Sequence, residues 1–326
     1  MNIGVPRETH RHEHRVGLSP SATAKLVRRG HAVFVERGAG LGAHFADHDY
    51  ESAGATVVYS GEEAYKRADL VCRVGWISAE ELELLRPGSA ICGFHHMAIA
   101  PRDKVEKMMA MDLTLIGYEL VQNAEGHLST LLPMSEMAGQ MAVQVGAHYL
   151  QSEAGGRGIL LGNVPGVPPP TVLILGAGIV GRTAAREALT SGAHVIVVDR
   201  NIEKLREVNH MLSGAAVTVV PGQRRLHRFT SFADVVIGAV LIPGGKAPFV
   251  ITEEMVKGMK PGTVIIDVSV DQGGCVETSR PTTLASPTFV LHGVTHYCVP
   301  NMTADIPRTA SRALANTAFP YVLELA

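Results

Sequence analysis

The sequence predicts an α/β fold: parallel sheets covered by helices on both faces, laid out in two successive strand–helix series. Three observations carry that prediction. The chain has 326 residues, 46% of them hydrophobic and 18% charged, which is length and apolar material for about two domains. Short apolar runs alternate with helical patterns from the first residues onward. A glycine-rich fingerprint directly follows one of those runs, at 176–181.

The elements follow in order. Residues 3–5 are a candidate strand. Ser19-Pro20 supplies a cap and a first-turn proline for a helix that stops at Gly30, and 31–36 is the next strand. A glycine-rich loop at 38–42 follows. Strands are expected at 70–74, 90–94 and 113–118, separated by helical stretches near 61–67, 79–85 and 102–110. Met137, Ala138, Met141, Ala142, Val145 and Leu150 recur close to helical spacing, so 135–152 reads as one longer helix. The glycines and prolines between 155 and 170 mark a boundary or an ordered loop. A second series starts at Thr171, and 307–326 reads as helix.

Val172-Leu173-Ile174-Leu175 is fully apolar, as a central parallel strand should be. Gly176-Ala177-Gly178-Ile179-Val180-Gly181 follows at once, then a helical pattern over 182–189 and a strand over 194–198 that ends in Asp199. Gly176 permits the tight turn, Gly178 admits a pyrophosphate to the backbone, and Gly181 lets helix and strand pack closely. The helix N-terminus offers free N–H groups to phosphate. Asp199 is placed to accept from adenosine ribose hydroxyls and to repel a 2′-phosphate, which favours NAD over NADP; Arg200 weakens that preference. The competing reading is a Rossmann-like domain without a dinucleotide.

Composition excludes several classes. Lysine plus arginine total 29 and aspartate plus glutamate 31, so no basic field exists to bind nucleic acid non-specifically. Cys72, Cys92, Cys275 and Cys298 form neither a CxxC pair nor a metal-ligand spacing; reduced, buried thiols and no metal are expected. No apolar run approaches a membrane span and the start lacks a signal-peptide pattern, so a soluble cytoplasmic protein is expected.

Longer motifs resemble those of bacterial L-alanine dehydrogenase and, more distantly, the NAD-binding component of proton-translocating transhydrogenase. They include Gly4-Val5-Pro6 with Glu13 and Arg15-Val16, Pro133-Met134-Ser135-Glu136 with Gln144-Val145-Gly146-Ala147, and the stretch 155–166. Others are 236–244, Asp271-Gln272-Gly273-Gly274-Cys275, 279–283, 296–302 and Pro320-Tyr321-Val322-Leu323. The resemblance implies two Rossmann-type, doubly wound parallel-sheet domains with an interdomain cleft. It implies a discontinuous substrate domain, 1–134 with 305–326, and an NAD domain, 135–304, entered through the linking helix at 135–152. It further implies reversible oxidative deamination of a small amino acid to a 2-oxo acid and ammonia, and a homo-oligomer, hexamer or dimer.

Residue by residue, the resemblance implies that Arg15 binds the substrate carboxylate and that His96 and Asp271 are catalytic. It places Ser135, Ile179, Val180, Asp199, Lys204, Val240, Leu241, Val268, Arg280, Val299, Asn301 and Met302 at the cofactor, beside Gly176, Gly178 and Gly181. Two departures stand out. The second lysine of the family's Lys-Val-Lys-Glu-Pro run, which helps hold the substrate carboxylate, is here Gly75, followed by Trp76, and the chain ends a few dozen residues before most relatives.

The chemistry needs a cation for the carboxylate, a group that moves protons near neutral pH, and a polar partner. Histidine suits the second role, with a reference pKa of about 6.5. His96 and Asp271 each follow an apolar strand, where open α/β sheets place ligands. Duller readings stand beside these: His95 adjoins His96 and only one of the two is expected to face the cleft, Arg15 could pair with Glu13 or Glu8, and Asp271 could make a local turn. Lys204 could be only a solvated charge, and Asp267, inside an apolar strand, is read as capping or orienting a neighbour. Arg73, about 6.6 Å along the strand from position 75, either supplies the missing cation or occupies the family's other basic position. Trp76 either lines a pocket for a larger substrate or fills space left by the absent tail. Two alternatives to amino-acid oxidation are kept: a reductase of another imine or oxo substrate, and a non-catalytic NAD-binding protein.

Overall fold

The computed structural model describes residues 1–97, 100–242 and 247–326. Pro243 and Gly244, which close one of the family-like motifs, lie outside the described residues. The chain divides into two compact units, Met1–Met134 with Thr303–Ala326, and Ser135–Met302.

The first unit is built on six parallel strands: β1 (Asn2–Val5), β2 (Ala32–Glu36), β3 (Thr56–Val58), β4 (Leu70–Cys72), β5 (Ala90–Gly93) and β6 (Thr114–Gly117). Their order is β3-β2-β1-β4-β5-β6, so the winding direction reverses between β1 and β4. Helices α1 (Pro20–Arg28), α2 (Asp47–Ser52), α3 (Gly61–Arg67), α4 (Ala79–Leu82) and α5 (Arg102–Ala110) connect the strands. Their starts follow from local chemistry. The Ser19 hydroxyl accepts from the Ala22 N–H with Pro20 in the first turn, Ser60 caps α3, and Ser78 with Glu81 forms a capping box on α4. Strand β3 and helix α2 were not expected: three to six residues are too few to show a period. Tyr65, Val71, Ile77, Leu82, Ile91 and Met108 pack as one core cluster beside the sheet.

The second unit contains most of α6 (Leu131–Tyr149), whose start precedes the expected one because Pro133 is tolerated in a first turn. Seven strands follow with their helices: β7 (Thr171–Leu175), α7 (Ile179–Thr190), β8 (His194–Val198), α8 (Ile202–Met211), β9 (Val217–Val219), α9 (Gln223–Phe232), β10 (Val235–Gly238), α10 (Glu253–Lys257), β11 (Val264–Asp267), β12 (Thr288–Leu291) and β13 (Val294–Tyr297). The order is β12-β13-β11-β10-β7-β8-β9, with its reversal between β7 and β10. Every pairing is parallel except β12 with β13. That edge departs from the expected all-parallel sheet. His292 and Gly293 join the two strands with φ of 53° and 75°, a two-residue turn that only an antiparallel pair can close.

Helix α11 (Pro307–Leu325) returns to the first unit. The Val16 N–H donates to Ser311 Oγ at 3.1 Å, and Lys25 Nζ stands 5.1 Å from the centre of the Phe319 ring. Among the described residues no helix is long and apolar enough to cross a membrane, and the four cysteines are free and buried.

Candidate active site

In the first unit the chain leaves β1 toward Glu8 and leaves β4 at Arg73, on the two sides of the winding reversal. Arg73 is fully buried. Its Nε donates to Gly75 O at 2.8 Å, Nη1 to the Tyr65 hydroxyl at 2.7 Å and Glu81 Oε2 at 2.8 Å, and Nη2 to Glu8 Oε2 at 2.9 Å. Glu8 also accepts from the Val74 and Gly75 N–H groups, at 2.6 and 3.3 Å. Burial alone would lower the Arg73 pKa; Glu8, Tyr65 and Glu81 reverse that and hold it above its ordinary value. These surroundings favour the second reading of Arg73, that it occupies the family's other basic position, over a substrate carboxylate contact. Two carboxylates of its own unit already hold the guanidinium, away from solvent, and it fixes the exit of β4.

Beside it, a Cβ on Gly75 would stand a tight 3.2 Å from Glu8 Oε2 and 3.8 Å from His10 Cδ2, so the Glu8 carboxylate would have to shift by a few tenths of an ångström to admit a side chain there. Trp76 is 39% exposed and stacks on His10, with ring centroids 5.8 Å apart and planes inclined by 20°. Lys104 Nζ sits 4.8 Å from the Trp76 ring and donates to Ile77 O. Burial and the neighbouring Arg73 charge lower the Lys104 pKa.

Arg15 is 3% exposed and forms the ion pair with Glu13 that the duller reading anticipated, through Nε–Oε1 at 2.7 Å and Nη2–Oε2 at 2.5 Å. Its Nη1 is directed to Thr303 Oγ1 at 3.3 Å and Met134 Sδ at 3.5 Å. The returning segment thus meets Arg15 at Thr303, which sequence reasoning missed because 288 positions separate the two.

The adjacent histidines separate cleanly. Strand β5 ends at Gly93, so the strict alternation of a strand no longer applies at 95 and 96. His95 is buried, its Nε2 lies 3.2 Å from Ile91 O, and burial lowers its pKa. The neutral ring with the Nε2 proton suits that contact. His96 is exposed, with a left-handed φ of 47°. Glu119, just beyond β6, accepts from both backbone N–H groups, His95 at 3.2 Å and His96 at 2.7 Å. No motif marked Glu119. Its place at the C-terminal end of a strand was the available signal.

In the second unit the three fingerprint glycines have distinct surroundings. A Cβ on Gly181 would lie 1.8 Å from Gly176 O, and one on Gly176 would lie 2.3 Å from Ala239 O. A Cβ on Gly178 would meet nothing within 4 Å. Gly178 precedes α7 as its N-cap with no side-chain cap, so no capping side chain takes the first N–H groups of the helix. Asp199 closes β8 and accepts from the Ala177 and Asn201 N–H groups at 2.7 and 2.8 Å. An open cradle, an uncapped helix and a carboxylate with lone pairs to spare fit a dinucleotide.

Because β7, β8, β10, β11 and β13 are parallel, the segments after them lie at one edge of the sheet. Gly178, Ile179, Val180, Asp199, Val240, Leu241, Val268, Val299, Asn301 and Met302 all fall in those segments. Arg280 lies 4.4 Å from the Phe289 ring centre, and that ring stacks on His296 at 4.8 Å. Lys204 is exposed in the first turn of α8. Ser135 lies in α6.

Asp271 occupies the short 3₁₀ turn Val270–Gln272. Buried Asp267 brackets that loop, accepting from Ser269 N–H at 3.1 Å before it and from Cys275 and Val276 N–H at 2.9 and 3.2 Å after it. Burial raises the Asp267 pKa against the pull of those bonds. Among the described residues no cluster of three or more His, Cys, Asp or Glu could hold a metal ion.

Comparison with known proteins agrees along the whole chain. Residues 4–138 match the family described as alanine dehydrogenase/PNT, N-terminal domain, and residues 142–326 match the corresponding C-terminal domain. The alanine dehydrogenase of Mycobacterium tuberculosis is 45% identical over 326 residues, covering all of this chain and 88% of that one. A solved L-alanine dehydrogenase superposes with a TM-score of 0.94 at 44% identity, covering 100% of this chain and 90% of that chain. A transhydrogenase from Sinorhizobium meliloti superposes at 0.87 with 27% identity, covering 100% and 94%.

Proposed function

The chain belongs to the alanine dehydrogenase/PNT family, and on that premise we propose NAD-dependent, reversible oxidative deamination of L-alanine, or a closely related small amino acid, to a 2-oxo acid and ammonia. It is an oxidoreductase of the amino-acid dehydrogenase type. The observation that carries the reading is the open cradle at Gly178 before uncapped α7, in a chain that matches alanine dehydrogenases from end to end. NAD, when bound, supplies the acceptor for the hydride that leaves the substrate Cα.

Gly176, Gly178, Gly181 and the first turn of α7 hold the pyrophosphate, and Asp199 the adenosine ribose. Arg15, its planar guanidinium held in place by Glu13, orients the substrate carboxylate through its Nη1 edge. His96, exposed, gives and takes the proton at the reacting nitrogen or oxygen. Asp271 orients the amino or carbonyl group. The enzyme acts as a cytoplasmic homo-oligomer, hexamer or dimer, which light scattering distinguishes.

Gly75 and the internal pairing of Arg73 favour one alternative, a reductase of an imine or oxo substrate lacking the usual carboxylate placement. One experiment separates the two. L-alanine with NAD should yield NADH, and Gly75→Lys should lower KM for L-alanine about tenfold or more with kcat little changed, because it restores a charge-assisted bond. No turnover of L-alanine by either protein, with NAD still bound, overturns the alanine reading. His96→Ala should reduce kcat by about 10²–10⁴-fold.

A further inference from the structure

We propose that Glu119 is a positioning residue, whose carboxylate clamps the backbone of His96 in the left-handed turn that presents its imidazole. The effect on turnover rests on the proton-transfer reading of His96; the clamp itself does not.

The placement follows from register. Strands β5 and β6 are parallel and Gly93 pairs with Gly117, so two residues onward His95 comes abreast of Glu119. The ladder still holds Tyr118 N–H on Gly93 O, at 2.9 Å. Beyond it, His95 and His96 turn away, and their N–H groups have no strand to pair with. The Glu119 side chain takes the place of that missing strand, one oxygen on each N–H. A carboxylate is suited to this task because it is acceptor-only, and its two oxygens match two converging donors.

Two further features belong to the same device. Gly117 leaves the room: a Cβ there would stand 3.2 Å from Cδ and both oxygens of the Glu119 carboxylate. His95 pins the turn from the other side, with its ring buried against Ile91 O. The φ of 47° at His96 is a region where a side chain meets steric resistance, so it persists only if the surroundings impose it. No hydrogen bond joins Glu119 to the His96 ring; the carboxylate grips the main chain and acts on the imidazole through it.

The test uses full-length Glu119→Gln and Gly117→Ala. The first keeps the shape but turns an amide N–H₂ toward one of the two N–H donors. The second crowds the carboxylate from an independent direction. Turnover of L-alanine should fall about ten- to hundredfold in each. NAD dissociation constants, read by fluorescence titration, should stay within about twofold. Crystal structures should show residue 96 out of its left-handed turn or its ring displaced. On a His96→Ala background, Glu119→Gln should reduce turnover no further. Unchanged turnover with residue 96 unmoved overturns the proposal, as does a Glu119→Gln loss that persists in full without His96. If His96→Ala alone keeps full turnover, the catalytic reading of His96 falls, and the position of residue 96 in Glu119→Gln still decides the clamp.

Discussion

The two sheets share a strand order around their centres, yet their winding reversals are filled in opposite ways. At β1 and β4 the crevice holds its own polar network, Glu8, Arg73, Glu81 and Tyr65, closed by ion pairs of 2.8 and 2.9 Å. At β7 and β10 it holds glycine and unshared N–H groups. Strand order therefore locates a crevice, and the side chains at the strand ends decide whether it is structure or binding site. One device recurs in both units. Glu8, Glu119, Asp199 and Asp267 each follow or end a strand, and each accepts backbone N–H groups from a loop. Where parallel strands stop, N–H groups lose their ladder partners, and an acceptor-only side chain satisfies them.

The largest test of this contrast is Arg73→Ala. It leaves two buried carboxylates without their cation and should destabilise the chain by about 3–5 kcal/mol in urea unfolding. A loss of L-alanine affinity without a loss of stability would instead return Arg73 to the substrate. Next is Gly178→Ser. Its Cβ meets open space and its hydroxyl caps α7, so stability should hold or rise by a few tenths of a kcal/mol, while NAD affinity falls about tenfold or more. A clear drop in melting temperature would show that the second crevice, like the first, is already filled.

The smallest effect compares the units through one buried histidine in each, His95 and His296, both with pKa values lowered chiefly by burial. Each is neutral when folded, while the unfolded chain takes up the proton near the ordinary value of 6.5. Stability is therefore complete above that value and is lost as pH falls below it. Melting temperature should decline between about pH 7.5 and about pH 5.5, and less so in His95→Gln and His296→Gln. A profile identical in all three proteins would remove the histidines from this account.

Much of the fold was legible because its signals are local. The apolar run 172–175 and the fingerprint after it announce strand, turn and helix within ten residues, and Ser19-Pro20 announces α1. Strands β3 and β9, at three residues each, carry no readable period. The antiparallel β12–β13 edge hangs on His292-Gly293, a turn without the Asn-Gly pattern that usually signals a hairpin. Asp267 was legible as an orienting group, since a carboxylate inside an apolar strand needs partners, though which partners was not.

By itself, then, the sequence determined the α/β class, the glycine cradle with its acidic residue, and the motifs that mark the family, because each depends on neighbours a few residues apart. Only the tertiary structure decided which cations are free. Arg73 looked available on a strand at the substrate end, but Glu8 and Glu81 reach it from 65 and 8 residues away, and both pairings are closed in the buried network. It also decided the burial of two adjacent histidines. Nothing local distinguishes His95 from His96; the carboxylate of Glu119, brought alongside by the pairing of β5 with β6, turns the chain so that one ring is buried and the other faces solvent.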